Sequence, residues 1–544
     1  MVSKIKILIP PAILAAACTT TGRSGEEERP NIICFVAEDI SPFLACYGDP
    51  LAETPNLDKL AAEGIRFTQM HSVSGVSAPS RNALITGMYP SSIGGNNMRT
   101  SYPERANIPD SLRIPPYECT PPPYVKCYTE YLREAGYYCT NNAKEDYQFK
   151  VPKSAWDESS EDAHWSNRPE GRPFFAIFNF FQTHESQIWE REGEPLVIDP
   201  DSVKLPDYFP DTPEIRRDIA QMYTNINKMD REVGKMIHEL EEESLMDNTI
   251  IIFYADHGGP LPRGKREILE SGTRVPFIIR FPDKKDAGEQ NNELWTFIDI
   301  PATILSLAQV DIPDYMHGKA FLGKQRSEPR EYIYAARDRM DEWFDCRRSV
   351  RDEQYQYIRN YRTDIGAYLD IRYRKQMRTM QVLLRMRDEG TLSEEQMYWF
   401  RKKKTPEELY DLQTDPYELD NLAGDTAYHD ILLRLRAAHE AWVKQIDDKG
   451  VKYRNEKELF LSMWPGGIQT ETLLPEIEER GELIKLTCDT KGASIVYQIN
   501  HSGYNKNHWY LYHEPIDMNE GDTLSVIAHR IGFGESDTLE WICK

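Results

Sequence analysis

The sequence predicts an α/β protein: a mostly parallel sheet sandwiched by helices, followed by a smaller α+β C-terminal subdomain and a terminal small β-sandwich. Three observations carry this. The runs Asn31–Ala37, Pro173–Phe181 and Thr249–Ala255 are continuously apolar, the pattern of strands covered on both faces. Ile219, Met222, Ile226, Met229, Val233, Ile237 and Leu240 recur at three-four spacing. That is the stripe of a helix packing on a sheet, and it supplies the crossover that parallel strands need. After Trp464-Pro-Gly-Gly467 the pattern changes to short alternating runs, Leu483–Thr487, Ser494–Ile499, Trp509–Tyr512 and Thr523–Ala528, separated by turn residues. That is the pattern of a small antiparallel sandwich.

In chain order the first element is outside the fold. Lys4 and Lys6 precede an apolar run, Ile5 to Ala17, that ends Ala-Ala-Ala-Cys18. The run is too short to span a bilayer and has the form of an export signal. Two cleavages fit it. A lipoprotein-type cut at Cys18 would lipidate that cysteine and anchor the protein to a membrane; a plain secretory cut would fall near Ala17. Either way the expected location is the periplasm or the outer membrane of a bacterium. Residues 19–29 then form a polar tether, 30–330 the main α/β domain, 331–460 the subdomain with a helical insertion, and 465–544 the sandwich.

The 544 residues carry 88 acidic and 65 basic side chains, a net charge of -23, which argues against nucleic-acid binding. An anionic substrate would need a locally cationic pocket, which screening beyond roughly 8–10 Å permits. Beyond Cys18 there are eight cysteines and no CxxC pair, so a zinc cluster is not expected. Cys34 reads as strand core; Cys119, Cys127 and Cys139 are close enough in sequence to pair, but spacing does not decide it.

Each of the three apolar runs stops at potential ligands: Glu38-Asp39, Thr183-His184-Glu185 and Asp256-His257. In parallel sheets ligands gather at the carboxyl ends of strands. If the three strands are neighbours, Glu38, Asp39, His184, Asp256 and His257 converge, and hard oxygen donors suit calcium or magnesium. Singly, each such acid reads as a turn former. Between the first two runs lies Ser77-Ala-Pro-Ser-Arg81, then Asn82 to Thr86 and Gly87. Proline fits a first helical turn. Ser77 therefore sits at a helix N-terminus, where free N–H groups favour an anion, with Arg81 one turn on.

That stretch resembles the signature of the formylglycine-dependent (type I) sulfatases of the alkaline phosphatase superfamily, Cys/Ser-x-Pro-Ser-Arg followed by Leu/Ile-Thr-Gly. The resemblance implies that Ser77 is the precursor of a catalytic formylglycine and a metal neighbour. It extends over roughly residues 30–445. Glu38-Asp39 stands for the family's Asp-Asp pair, and Asp256-His257 is its Asp-His variant. Ala143-Lys144-Glu145-Asp146 stands for Gly-Lys-Trp-His, keeping the sulfate-binding lysine and replacing the histidine by Asp146. Lys265 matches a second sulfate-site lysine, and Arg274-Val-Pro276 the start of the next strand. The implied metal ligands are Glu38, Asp39, Asp256 and His257 around Ca2+ or Mg2+. Arg81, Lys144 and Lys265 would clamp sulfate, and His184 would serve the leaving alcohol or contact sulfate. A serine precursor implies an anaerobic radical sulfatase-maturating enzyme as partner.

The implied substrate is a sulfated carbohydrate, from a glycosaminoglycan or an algal polysaccharide. Two rival readings remain: a phosphodiesterase or phosphonate hydrolase of the same superfamily, and a surface glycan-binding lipoprotein with Ser77 unconverted. Arg337 and Arg339 either reach the substrate mouth or make structural ion pairs. The basic segment 362–405 reads as a solvated helical insertion or a face for a sulfated polymer. The terminal sandwich looks like the small C-terminal β-domain of chitobiase-type glycosidases.

Overall fold

The computed structural model describes residues 29–100, 114–453, 455–480 and 483–544; the export signal, Cys18 and nearly all of the tether lie outside the described residues. Nine strands in chain order build the main sheet: β1 (Asn31–Ala37), β2 (Ile65–His71), β3 (Tyr138–Asn142), β4 (Glu158–Ser159), β5 (Phe174–Phe180), β6 (Thr249–Ala255), β7 (Arg274–Arg280), β8 (Gln290–Asn291) and β9 (Trp295–Thr296). Their order is β4-β3-β5-β1-β6-β7-β2-β8, with β9 also on β2. β1 runs parallel between β5 and β6, Ala37 standing opposite Phe180 on one side and Ala255 on the other. The three apolar runs are thus adjacent strands that finish level. β7 is antiparallel to β6 and β2. Only a four-residue helix, Glu270–Thr273, lies between β6 and β7, too little for the crossover a parallel return requires.

Two helices matter for the site. α1 (Ser77–Thr86) is buried at all ten positions. α2 (Pro213–Glu242) starts on Thr212, whose hydroxyl accepts from the N–H of Ile215, with Pro213 in the first turn. Its expected stripe is buried, methionines included, so those methionines are core.

The subdomain is an antiparallel sheet of β10 (Ile333–Arg337), β11 (Arg347–Arg351), β12 (Tyr355–Asn360) and β13 (Glu407–Asp411), paired in sequence order. The insertion between β12 and β13 carries α3 (Arg378–Glu389). α3 docks on α2, where Asp218 accepts from both the N–H and the hydroxyl of Thr379 at 2.7 Å. The insertion is less solvated than expected. Arg374 is buried over the Trp399 ring at 4.7 Å, and Lys404 is buried against Asp345 at 3.0 Å.

The terminal domain is two small sheets. Glu476–Arg480, Leu483–Thr487 and Ile516–Asp517 face Tyr510–Leu511, Ser494–Ile499, Thr523–His529 and Leu539–Ile542 across Ile484, Leu486, Leu524 and Val526. It is fastened to the catalytic domain by polar contacts. Lys126 donates to Gly492 and Ser494, Arg133 to the carbonyl of Trp509 at 2.7 Å, and His508 meets Asp157 at 2.7 Å. Cys119, Cys127 and Cys139 are buried free thiols, so the pairing left open by their spacing does not form. Among the described residues no helix is long and apolar enough to cross a membrane.

Candidate active site

The ionisable residues meet where β5, β1 and β6 end together. Asp39 takes a left-handed backbone, φ 50°, a conformation Asp tolerates better than most residues. Its Oδ2 accepts from Lys265 Nζ at 2.6 Å and from the N–H of Glu185 at 2.7 Å, and its own N–H donates to Asp256 Oδ1 at 3.2 Å. After β6 the chain turns at Gly258, where any Cβ would lie 2.4 Å from the Ser271 carbonyl. Only glycine allows that approach, and it sets the course of the chain immediately after His257. Ser77, the first residue of α1, places its Oγ 3.4 Å from His257 Nε2. One turn on, Arg81 donates through Nε to Asp256 at 3.1 Å and through Nη1 to Asn179 at 2.7 Å.

Asp39, Asp256 and His257 offer ligand atoms within 4.8 Å of one another; Glu38, Asp39 and His184 form a second such group sharing Asp39. Three of the four expected ligands therefore meet in one group, and Glu38 joins them through Asp39, on the His184 side. His257 Nδ1 lies 2.9 Å from the Gly258 carbonyl. A carbonyl only accepts, so Nδ1 carries a proton, and Nε2 is the ring atom open to a ligand role. Nε2 is 2.9 Å from Asp39 Oδ1, an oxygen that receives no hydrogen bond. A buried carboxylate oxygen without a hydrogen bond is costly unless a cation compensates it. The donors thus fit a divalent ion, and carboxylates outnumbering the one imidazole favour calcium or magnesium.

The surrounding charges form a chain. Lys265 bridges Asp39 and, at 3.4 Å, Glu185; Glu185 takes both outer nitrogens of Arg266, at 2.7 and 2.9 Å; Arg266 Nε reaches Asp341 at 2.6 Å. Burial alone would raise Glu185, yet Arg266 and Lys265 bring it down to about 2. Asp39, likewise raised by burial, is held well below the usual carboxylate range by Lys265 and His257. Burial would lower Arg81, but Asp256, Glu38, Tyr147 and Asp146 around it keep it above its ordinary value. His184 Nδ1 accepts from the N–H of Ser186 at 3.3 Å, so its proton is on Nε2. Burial first, then Lys265, push this ring down to about 4. A cavity of about 520 Å³ between Phe43, Tyr208, Met222 and Tyr417 lies apart from these groups and has none of them in its wall.

Lys144, half-buried, closes on Glu38 at 2.8 Å. Asp146, in a left-handed backbone, is 3.7 Å from Arg99 Nε, so an ion pair stands where the resemblance expects a histidine. Arg337 and Arg339 are corrected to structural roles. Arg337 is wholly buried against Glu267 and 3.6 Å from Asp345. Arg339 is 3% exposed, 2.7 Å from Glu456, and donates to the Met98 carbonyl. Neither has a face to offer a substrate: Arg337, the last residue of β10, is spent on Glu267, and Arg339, in the loop that follows, on Met98 and Glu456. Three residues around the site have no role assigned from sequence: Asn179, Glu185 and Arg266. Asn179 leaves a trace, a lone amide inside the run Phe-Asn-Phe of β5. It also donates to Asn141 Oδ1 and the Asn142 carbonyl, tying Arg81 to β3.

A family model described as sulfatase matches residues 30–310, and one described as N-sulphoglucosamine sulphohydrolase, C-terminal, matches 263–385. An ulvan-active sulfatase of Formosa agariphila is 44% identical over 551 residues, covering 94% of this chain and 91% of its own. Human N-sulphoglucosamine sulphohydrolase is 22% identical, covering 82% and 94%. A solved structure in complex with its substrate D-glucosamine-2-N,6-O-disulfate aligns with a TM-score of 0.54 at 18% identity, covering 78% of this chain and 100% of its own. The phosphonate monoester hydrolase of Silicibacter pomeroyi aligns at 0.55 and 16%, covering 78% and 97%. These two structural likenesses are of fold alone. With the family model spanning over half of the chain and the Formosa relative aligned along nearly all of it, the chain belongs to the sulfatase family, enzymes that hydrolyse sulfate esters.

Proposed function

We propose that this sulfatase removes sulfate from a polysaccharide of the ulvan or glycosaminoglycan kind, using a formylglycine made from Ser77 and one calcium or magnesium ion. One observation carries the reading. Ser77 stands at the head of a buried helix, 3.4 Å from His257 Nε2, which lies 2.9 Å from a carboxylate oxygen that receives no hydrogen bond. Asp39, Asp256 and His257, with Glu38 beside them, would hold the ion, which supplies positive charge for the sulfate oxygens and for the attacking hydroxyl. A formylglycine at position 77, when hydrated, would supply two hydroxyls on one carbon, one for attack on sulfur and one for the later release of sulfate.

The chain's own residues do the rest. Arg81 is fixed by Asp256 and Asn179, so its charge costs no reorganisation when sulfate arrives. Lys265 is buried and anchored; Lys144, 21% exposed, is the mobile cation, leaving Glu38 for the substrate. His184 holds its proton on Nε2 and would donate it as a hydrogen bond to the leaving oxygen. The maturing partner is an anaerobic radical enzyme, and the protein works after export, soluble in the periplasm or held by a lipid on Cys18.

The test is co-expression with such a maturase. The Ser77 peptide should lose two hydrogens in a mass spectrum, and the matured protein should release sulfate from ulvan or glycosaminoglycan oligosaccharides where Ser77→Ala releases none. Faster turnover of a phosphonate monoester would instead favour the phosphonate hydrolase reading. Saccharide binding without sulfate release, by protein whose Ser77 stays unconverted even beside the maturase, would favour the binding-protein reading.

A further inference from the structure

The loop that carries Lys144 also borders a second cavity. Lys144 turns to Glu38, while the next residue, Glu145, lines a cleft of about 230 Å³ between the catalytic and terminal domains. Its walls are Glu145, Trp156, Asp157 and Ser159 from the first and Asn507 and Trp509 from the second. The charges there are unequally matched. Lys153 is neutralised by both oxygens of Glu535, at 2.7 and 2.6 Å. Asp157 is neutralised by Arg133 at 2.9 Å and His508 at 2.7 Å. Glu145 has a hydroxyl for company, Ser159 Oγ at 2.6 Å, and no cation in that contact. Lys153 Nζ sits over one face of the half-buried Trp509 indole, 5.9 Å from its centroid, and among the described residues no aromatic ring stacks on it.

A half-buried indole that no other ring covers, beside an acceptor carboxylate, a hydroxyl and an amide, is the chemistry that binds a sugar ring: C–H groups against the aromatic, hydroxyls to the polar atoms. The uncompensated carboxylate turns away a sulfate. We propose that this cleft is a subsite for an unsulfated pyranose unit of the substrate, with Trp509 as platform and Glu145, Ser159 and Asn507 binding hydroxyls. The terminal domain then extends recognition past the sulfate and selects chains in which a sulfated unit adjoins an unsulfated one. This rests on the polysaccharide reading above.

Calorimetric titration of the Ser77→Ala protein tests it. The probes are tetrasaccharide pools from ulvan and from chondroitin sulfate, each before and after partial desulfation. Trp509→Ala should weaken binding roughly three- to tenfold, as loss of one stacking contact does, and Trp509→Phe should restore most of it. Glu145→Gln, on the opposite wall, should weaken binding of the partially desulfated pool most. In the matured enzyme both should raise KM with little change in kcat. Binding by Trp509→Ala and Glu145→Gln within twofold of the parent overturns the subsite alone. Absence of any saccharide binding by the Ser77→Ala protein overturns the polysaccharide reading and the subsite with it.

Discussion

Replacing Asp39 by Asn separates a metal centre from a buried ion-pair knot. Without metal, Asp39 makes two kinds of contact. Its Oδ2 takes hydrogen bonds from Lys265 at 2.6 Å and Glu185 N–H at 2.7 Å, and its Oδ1 lies 2.9 Å from His257 Nε2. Asparagine keeps an oxygen for the first pair but removes the charge that answers the buried Lys265. Breaking that ion pair costs about 3–5 kcal/mol, and in EDTA the variant should be less stable than the parent by that amount. Saturating calcium, at a hundred times the dissociation constant, should stabilise the parent by about 2.7 kcal/mol and the variant, lacking a ligand charge, by much less. Urea unfolding of both proteins, with EDTA and with calcium, measures this. An equal calcium increment in parent and variant, or none in the parent, would refute the argument that Asp39 holds a cation.

Two further outcomes follow from the geometry. His184→Gln should lower kcat/KM on a saccharide sulfate by roughly 10²- to 10⁴-fold, and far less on an activated aryl sulfate that needs no help to leave; equal losses on both substrates would remove the leaving-oxygen role. His439, buried near Tyr361 at 3.3 Å, is pushed down to about 4 by burial and then by Arg348 and Arg359. A lowered histidine is protonated first in the unfolded chain, so stability is lost as pH falls from its unfolded value, about 6.5, towards 4. That ring alone should cost the parent about 2 kcal/mol between pH 7.5 and 5. The stability gap to His439→Gln, followed by urea unfolding, should change by that amount, and a pH-independent gap would contradict it.

The sheet and the strand-end cluster were readable because both are written locally. β1, β5 and β6 are unbroken apolar runs, and each run ends at the groups it delivers. The helix at Ser77 was legible from Pro79 and Gly87. What stayed hidden depends on distant pairing. Nothing in the order of residues says that Arg337 answers Glu267, 70 positions away, or that Glu185 is clasped by Arg266, 81 away. The basic run at 362–405 looked solvated because charge is usually exposed; in the fold, Tyr368, Trp399 and Asp345 draw Arg374 and Lys404 inward. A mostly parallel sheet leaves the direction of β7 open for a similar reason, since direction depends on the crossover and not on the strand.

The helix that begins at residue 77 has no outward side: Ser77 is 1% exposed and its nine successors are covered as well. If Ser77 is converted as proposed, an oxidising enzyme would have to reach the hydrogens on its β-carbon, which the folded chain covers. Conversion would then belong to the interval between translation and folding. A chain that closed too soon would be left unarmed, and the active fraction of a preparation would record a race won or lost during synthesis.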